Sequence, residues 1–371
     1  LAMAEPNYRL IVLLGLTSLF ADWLYEGARA ALPQYLKGLG ASALAVGLVF
    51  GVGDSLGYLL RFATGPLADR RGGYWGETFA GYALQVLAVV GLALAPWLAA
   101  AVALVMVERA SKALRTPARD AIISAAGAGR QSFAFGLHAS LDQIGAVAGS
   151  ATALLALAAG VEYGDLFLLL AAPGAAALAA LSAAYRLGVR PARRRGGARG
   201  PLGVQLLLFA LSQLLFGASL MHISLEMYEA QGAPWMGSAI YLAAMAFEIP
   251  LSLAWGRLYE MGRWALYLGP AAAVLATSAF STGSLVLGFA GAFAYSAATS
   301  YADIAAKARA VELGGVAKAT ALGAVNAAFG LGYLAGGAIY GYLLDVGAAG
   351  LAPPVSLALA AVSLALMRAA R

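Results

Sequence analysis

Asp22 and Glu26 stand four residues apart in an apolar run, and Arg29 continues the face that they would share on a helix. Further charged or polar groups interrupt other apolar runs: Asp54 and Arg61, the Glu108–Arg109 pair, His138 and Asp142, then Gln213, His222, Glu226, Glu248 and Asn326. In a low-dielectric setting such side chains do two kinds of chemistry. An acid takes up and releases a proton, and a cation or amide holds the polar part of a solute. The proton candidates are Asp22, Glu26, Asp54 and Asp142, with Asp22 first among them. Arg29, Glu108, Arg109, His138, Gln213, His222, Glu248 and Asn326 are candidate cavity charges or solute contacts. The plainer account is a set of static buried ion pairs that fix helix register, and it suits Glu26, Arg29 and Arg61 best.

Several other chemistries are excluded. There is no Cys, so thiolate metal sites and disulfides are absent, and the two His residues do not make a metal centre. No P-loop, nucleophile elbow or metal-ligand spacing occurs, so neither a metal, a cofactor nor an enzyme activity is expected. Gly51-Val52-Gly53 with Gly57 is superficially a dinucleotide loop, but no strand precedes it; close helix packing is its reading.

The elements that must carry these groups follow from composition. The 371 residues are 62% hydrophobic and 11% charged, with a mean hydropathy of +0.79. A soluble domain carries roughly a quarter charged residues, so the setting is a bilayer. A spanning helix needs about 20 mostly apolar residues. Runs of that kind predict twelve helices near 10–37, 42–67, 74–95, 97–115, 131–159, 164–186, 203–229, 234–256, 264–281, 283–303, 316–344 and 351–368. The first run reads as a retained helix rather than a signal peptide. Thr116-Pro117 reads as the cap of a short helix outside the membrane, ahead of the fifth span.

Charge outside the runs sets orientation. Arg70, Arg71, Arg115, Arg119, Arg130, the arginines from Arg186 to Arg199, Arg257, Arg263, Lys307, Arg309 and Lys318 fall on one side. The other side shows Lys37 against Glu162, Asp165, Glu229 and Asp345. By the positive-inside rule both termini are cytoplasmic. The Gly-, Pro- and Arg-rich stretch 188–201 is a linker between halves at 1–187 and 202–371, and a headgroup anchor rather than a nucleic-acid contact. At 1.5 Å rise per residue, Asp22, Asp54, Arg109 and Asp142 fall at one depth, and at least one acid there is expected to hold a proton near neutral pH.

The halves repeat each other. Gly65-Pro66-Leu67-Ala68-Asp69-Arg70-Arg71-Gly72 follows the second run, and Gly256-Arg257-Leu258-Tyr259-Glu260-Met261-Gly262-Arg263 follows the eighth. Gly136, Gly145 and Gly149 in the fifth run match Gly323, Gly332 and Gly336 in the eleventh at the same spacing. Duplicated halves are the common plan of secondary transporters.

With these motifs the sequence resembles the major facilitator superfamily over nearly its whole length. The resemblance implies an all-α integral membrane fold, with twelve transmembrane helices in two pseudo-symmetric six-helix bundles. It implies that Gly65, Asp69, Arg70, Gly72, Gly256, Glu260 and Arg263 form a cytoplasmic gate, and that Arg109 is the functional Arg of the fourth helix. Gly136, Gly145 and Gly149 resemble the helix-packing motif of antiporters. The helices without interior charge (the third, sixth, ninth and twelfth) are the peripheral ones of that family. The expectation is a monomeric transporter in the cell inner membrane, with a small solute, protons and lipids as partners and no nucleic acid. It exports its solute by proton-coupled antiport. The alternatives are a proton symporter or uniporter of a small anionic or polar metabolite, and, from another class, a membrane sensor or lipid-moving protein. Topology is testable, because the chain has no native Cys: single cysteines at 160 and 193 are expected to react with an impermeant thiol reagent from opposite sides. Labelling of both from one side would refute the twelve-helix model.

Overall fold

A computed structural model describes residues 6–128, 130–187, 203–230, 232–314 and 318–370, without the side chains at 58, 61–63, 65–71, 132 and 319. The linker at 188–201 lies outside the described residues. Among those residues every regular element is a helix. The first half holds α1 (Tyr8–Gly38), α2 (Ala43–Arg71), α3 (Tyr74–Leu92), α4 (Leu98–Ala126), α5 (Gln131–Ala158), α6 (Tyr163–Leu169) and α7 (Ala171–Tyr185). The second holds α8 (Val204–Ser219), α9 (Ile223–Glu229), α10 (Met236–Met261), α11 (Leu268–Phe280), α12 (Leu285–Tyr301), α13 (Lys307–Leu313), α14 (Lys318–Asp345) and α15 (Ala352–Ala369).

Among the described residues, eight helical stretches are long and apolar enough to cross a membrane by length and composition. The expected count of twelve is not reached on that criterion, for physical reasons. α11 has 13 residues, α3 has 19 and carries Glu77 and Gln85, and α4 carries several ionisable groups; of α2, the stretch Ala43–Gly57 is apolar but shorter than a span. The charges of α4 are disfavoured by the membrane, and each needs a protein partner.

The chain folds into two compact units. One comprises 1–32 and 59–196, the other 33–58 and 197–371. α1 and α2 therefore contribute to both.

In the first unit, Leu10, Ile11, Leu14, Tyr74, Tyr82, Ile122 and Ile123 form a buried core. α5 lies directly on α1: a Cβ at Gly145 would strike the backbone of Leu19, and one at Gly149 the backbone of Trp23. In the second unit α14 lies in the same way on α8, with Gly332 against the Leu214 carbonyl. The repeated glycine spacing thus has a repeated packing function. Gly136 is a correction to that pattern: it is exposed, and nothing approaches its Cβ position. Its neighbour Ala134 is buried in the core of the first unit, so Gly136 lies on the open side of the same turn.

Two of the expected helices are built differently from the sequence reading. α4 does not end at Arg115 but continues to Ala126, with Thr116 and Pro117 inside it. Pro117 has no N–H for the Ala113 carbonyl, four residues back. Thr64 Oγ1 from α2 donates to that carbonyl at 2.9 Å instead. Thr116 Oγ1 donates back to Lys112 O at 2.6 Å and caps nothing.

The seventh stretch, expected as one helix over 203–229, breaks between α8 and α9. The freed Ser219 carbonyl accepts from Thr277 Oγ1 at 3.0 Å, Tyr340 OH at 2.9 Å and Ser356 Oγ at 2.6 Å. His222 caps α9, its Nδ1 accepting from Ser224 N at 2.9 Å. A backbone break inside a membrane protein survives only with such replacement partners.

The glycine contacts give opposite signs to one substitution. Gly145→Ala and Gly332→Ala meet backbone that cannot move aside and are expected to cost ~1–3 kcal/mol of stability. Gly136→Ala is expected to gain up to ~1 kcal/mol, the usual helix-propensity difference. Thermal unfolding in detergent reads all three, and equal shifts would overturn the assignment.

Candidate functional site

The first unit gathers the charges of α1, α4 and α5. Glu108, Lys112, Arg115 and Arg119 are spaced so that one face of α4 carries all four. Because α4 continues through Pro117, Arg115 and Arg119 are not loop cations. Arg115 is fully buried, and Arg119 is 9% exposed. This corrects the sequence reading, which ended the helix there because charge and a Thr-Pro pair are ordinary stop signals. The α-helical spacing of the four charges was the signal that could have found them.

Asp22 of α1 enters this face. Its Oδ1 lies 3.6 Å from Arg115 Nη2, and its Oδ2 lies 4.0 Å from Lys112 Nζ. Both distances exceed a hydrogen bond. Asp22 Oδ1, Asp142 Oδ1 and Glu108 Oε1 are buried oxygens that make no hydrogen bond, as are all three side-chain nitrogens of Arg115. Asp142 comes from α5, and the charges acting on it are Asp22, Arg119, Lys112 and Arg115. Two acids from different helices therefore share one set of cations.

Neutral groups complete the cluster. Ser18 Oγ is hydrogen bonded to His138 Nε2 at 2.6 Å and to Tyr82 OH at 3.1 Å. Arg119 donates to Ser18 Oγ at 3.3 Å and to Asp120 Oδ1 through Nε and Nη2 at 3.0 and 2.9 Å. The Arg115 guanidinium lies 4.3 Å from the centre of the Tyr82 ring, and Lys112 Nζ lies 3.9 Å from that of Tyr25. Gly81 admits this arrangement, since a Cβ there would meet Arg115 Cβ at 2.5 Å.

One turn along α4, Arg109 Nε lies 3.5 Å from Glu108 Oε2, and the guanidinium sits 5.0 Å from the Tyr25 ring centre. Arg29 donates to Tyr25 OH at 2.8 Å. A small cavity opens here between Tyr25, Arg29, Glu108 and Arg109, walled by Leu32, Val89 and Val105. Glu26 is buried on the same helix as Asp22.

The remaining candidates lie in the second unit. Asp54, expected at the same depth as Asp22, is bonded to His222 there, Oδ2 to Nε2 at 3.1 Å. Since His222 Nδ1 accepts from Ser224, the ring proton sits on Nε2 and is donated to Asp54. The rings of Phe50, Tyr333 and Tyr295 surround that histidine, with centres 5.3, 4.8 and 6.4 Å away. Glu226 is 4% exposed, and a Cβ at Gly288 would lie 2.5 Å from its carboxylate.

Gln213 Nε2 donates to Tyr301 OH at 3.1 Å and is fully buried. Glu248 and Asn326 are half-buried on α10 and α14. Of the gate motif, Gly72 takes the left-handed turn after α2 at φ +66°, and the side chains of Asp69 and Arg70 and the surroundings of Gly65 lie outside the described residues. Arg263 pairs with Glu312 of its own unit at 3.2 Å. Glu260 is exposed, while Gly256 has open space at its Cβ position.

No family model matches the chain. It is 37% identical over 274 residues to the uncharacterized protein Rv2265 of Mycobacterium tuberculosis, an alignment covering 69% of this chain and 67% of that one. The uncharacterized protein Mb2288 of Mycobacterium bovis matches to the same extent. Over 145 residues it is 30% identical to an uncharacterized MFS-type transporter, MJ1317 of Methanocaldococcus jannaschii, covering 39% of this chain and 36% of that protein. Among solved structures it is similar to a mutant form of the nucleoside transporter NupG, with a TM-score of 0.78, 14% identity and coverage of 97% and 98% of the two chains. A POT family transporter in complex with 5-aminolevulinic acid gives a TM-score of 0.79 at 14% identity, covering 99% and 97%. The chain is thus a multi-pass membrane protein with the fold of these transporters, and it belongs to the family of the mycobacterial proteins Rv2265 and Mb2288.

Proposed function

We propose that the protein is a proton-coupled secondary transporter that moves a small solute by alternating access. It would span the inner membrane twelve times, as a monomer of two six-helix bundles with both termini cytoplasmic. The transporter fold supports the class. The observation that carries the coupling is the meeting of Asp22 and Asp142 among Lys112, Arg115 and Arg119, with an unbonded oxygen on each acid. Two carboxylates sharing one set of cations do not both keep their charge cheaply when a cation turns elsewhere. A proton held by the pair in one conformation and released in the other would bias a two-state equilibrium. The Gly65–Gly72 segment and Arg263 would then gate the cytoplasmic side.

The direction of coupling depends on whether proton and solute exclude or help each other. Export by antiport rests on the glycines of α5. Gly145 and Gly149 pack α5 on α1, and Gly332 does the same for α14 on α8, so these residues have a packing use that carries no direction. Import with the proton is the second reading, and the unbonded Arg115 favours it.

Proteoliposomes with an imposed pH gradient test the reading. A gradient is expected to drive accumulation or expulsion of one solute class, with protons moving in step. Asp22→Asn and Asp142→Asn are each expected to slow gradient-driven flux at least about tenfold, while exchange of the solute without a gradient persists. Gradient-driven flux at the wild-type rate in both variants would falsify proton coupling through this pair. The sign of the gradient effect separates export from import.

A further inference from the structure

Among the described residues, the most heavily buried cation of the first unit is also the least satisfied. Arg115 has no solvent exposure, and its Nε, Nη1 and Nη2 donate to nothing. A guanidinium presents five N–H donors in a planar fork that matches a two-oxygen acceptor. Its sole ion-pair partner among the described residues, Asp22, stands off at 3.6 Å. The neighbouring cation, Lys112, is 28% exposed and stands 4.0 Å from the same carboxylate. The cluster is therefore reached from the Lys112 side. By contrast Arg119 is bonded twice to Asp120 and once to Ser18, so it is not the vacant donor.

We propose that Arg115, with Lys112, is the seat of a small oxyanion, the carboxylate or phosphate group of the solute, and that the Asp22 carboxylate occupies that seat in this structure. The inference rests on the transporter reading and gives its substrate class. Among the described residues, the titratable groups facing the seat are Asp22, Tyr25 and Glu26 on α1, Tyr82 on α3, Glu108, Lys112 and Arg119 on α4, and Asp142 and His138 on α5. α2 touches α4 beside it, through Thr64.

With both acids charged, Arg115 and Lys112 are balanced by Asp22 and Asp142. One proton shared by the pair leaves two cations against one negative charge. An oxyanion then restores neutrality and supplies the two parallel acceptors that Asp22 fails to reach. Water could fill the space but would leave the charge unbalanced. Proton and oxyanion therefore promote each other's binding and travel in the same direction, and the linkage is reciprocal.

The test titrates the purified full chain with benzoate, lactate and inorganic phosphate at pH 5.5 and 7.5 by calorimetry. Wild type is expected to bind at least one probe once per chain, about fivefold or more tighter at pH 5.5, the lower end of usual coupling. Asp22→Asn is expected to bind the same probe equally well at both pH values, and Arg115→Gln to lose about tenfold or more. A carboxylate preference over phosphate assigns an organic acid, and the reverse a phosphorylated solute. If Asp22→Asn unfolds at the wild-type temperature yet binds none of the three, the seat does not exist. Undiminished binding in Arg115→Gln places the anion elsewhere and also overturns it. Binding needs no translocation, so pH-driven flux without oxyanion binding sinks this inference alone. Binding without any flux sinks the transporter reading alone.

Discussion

A charge or a backbone carbonyl that leaves water inside a membrane must find its partner in the protein, because the lipid offers none. Most of this architecture follows from that constraint. The four charges on one face of α4 oblige α1 and α5 to bring acids to them, and the acids come as Asp22 and Asp142. Tyr82 and Tyr25 add ring faces that hold cations, and their hydroxyls are satisfied in turn by Ser18 and Arg29. Close helix contact is needed to seal such a cluster, and glycine makes it possible where α5 lies on α1.

The same rule explains where helices depart from regularity. Pro117 sits in the middle of α4 because Thr64 takes the carbonyl that it orphans. The break between α8 and α9 stands because three hydroxyls and the His222 cap replace the missing bonds. Neither substitute is adjacent in sequence to what it serves, so neither defect was legible from its own neighbourhood. That is why α4 read as ending at Arg115, and why the seventh stretch read as one helix.

What the sequence did disclose was whatever depends on composition and period. The apolar runs, the glycine repeat and the identity of the inner acids were visible because the cost of burying charge makes such residues rare and conspicuous. Pairing was not visible. Asp54 reads like Asp22, at a similar depth in the next run, yet it belongs to a different unit and serves His222. Arg115 and Arg119 read as loop cations under the positive-inside rule, which counts charge without asking whether the helix has ended. A period of four, three and four residues among Glu108, Lys112, Arg115 and Arg119 was the better guide.

The Ser219 carbonyl has one more consequence. An oxygen of this kind has two lone pairs, yet three hydroxyls converge on it, from α11, α14 and α15. One donor is always in excess. Any of the three helices can draw away by an ångström or two while the oxygen stays saturated, so the break in the seventh stretch tolerates the loss of any one support. A joint built with a spare can keep its shape while its surroundings are rearranged, and a moving membrane protein needs that of the places where its helices are interrupted.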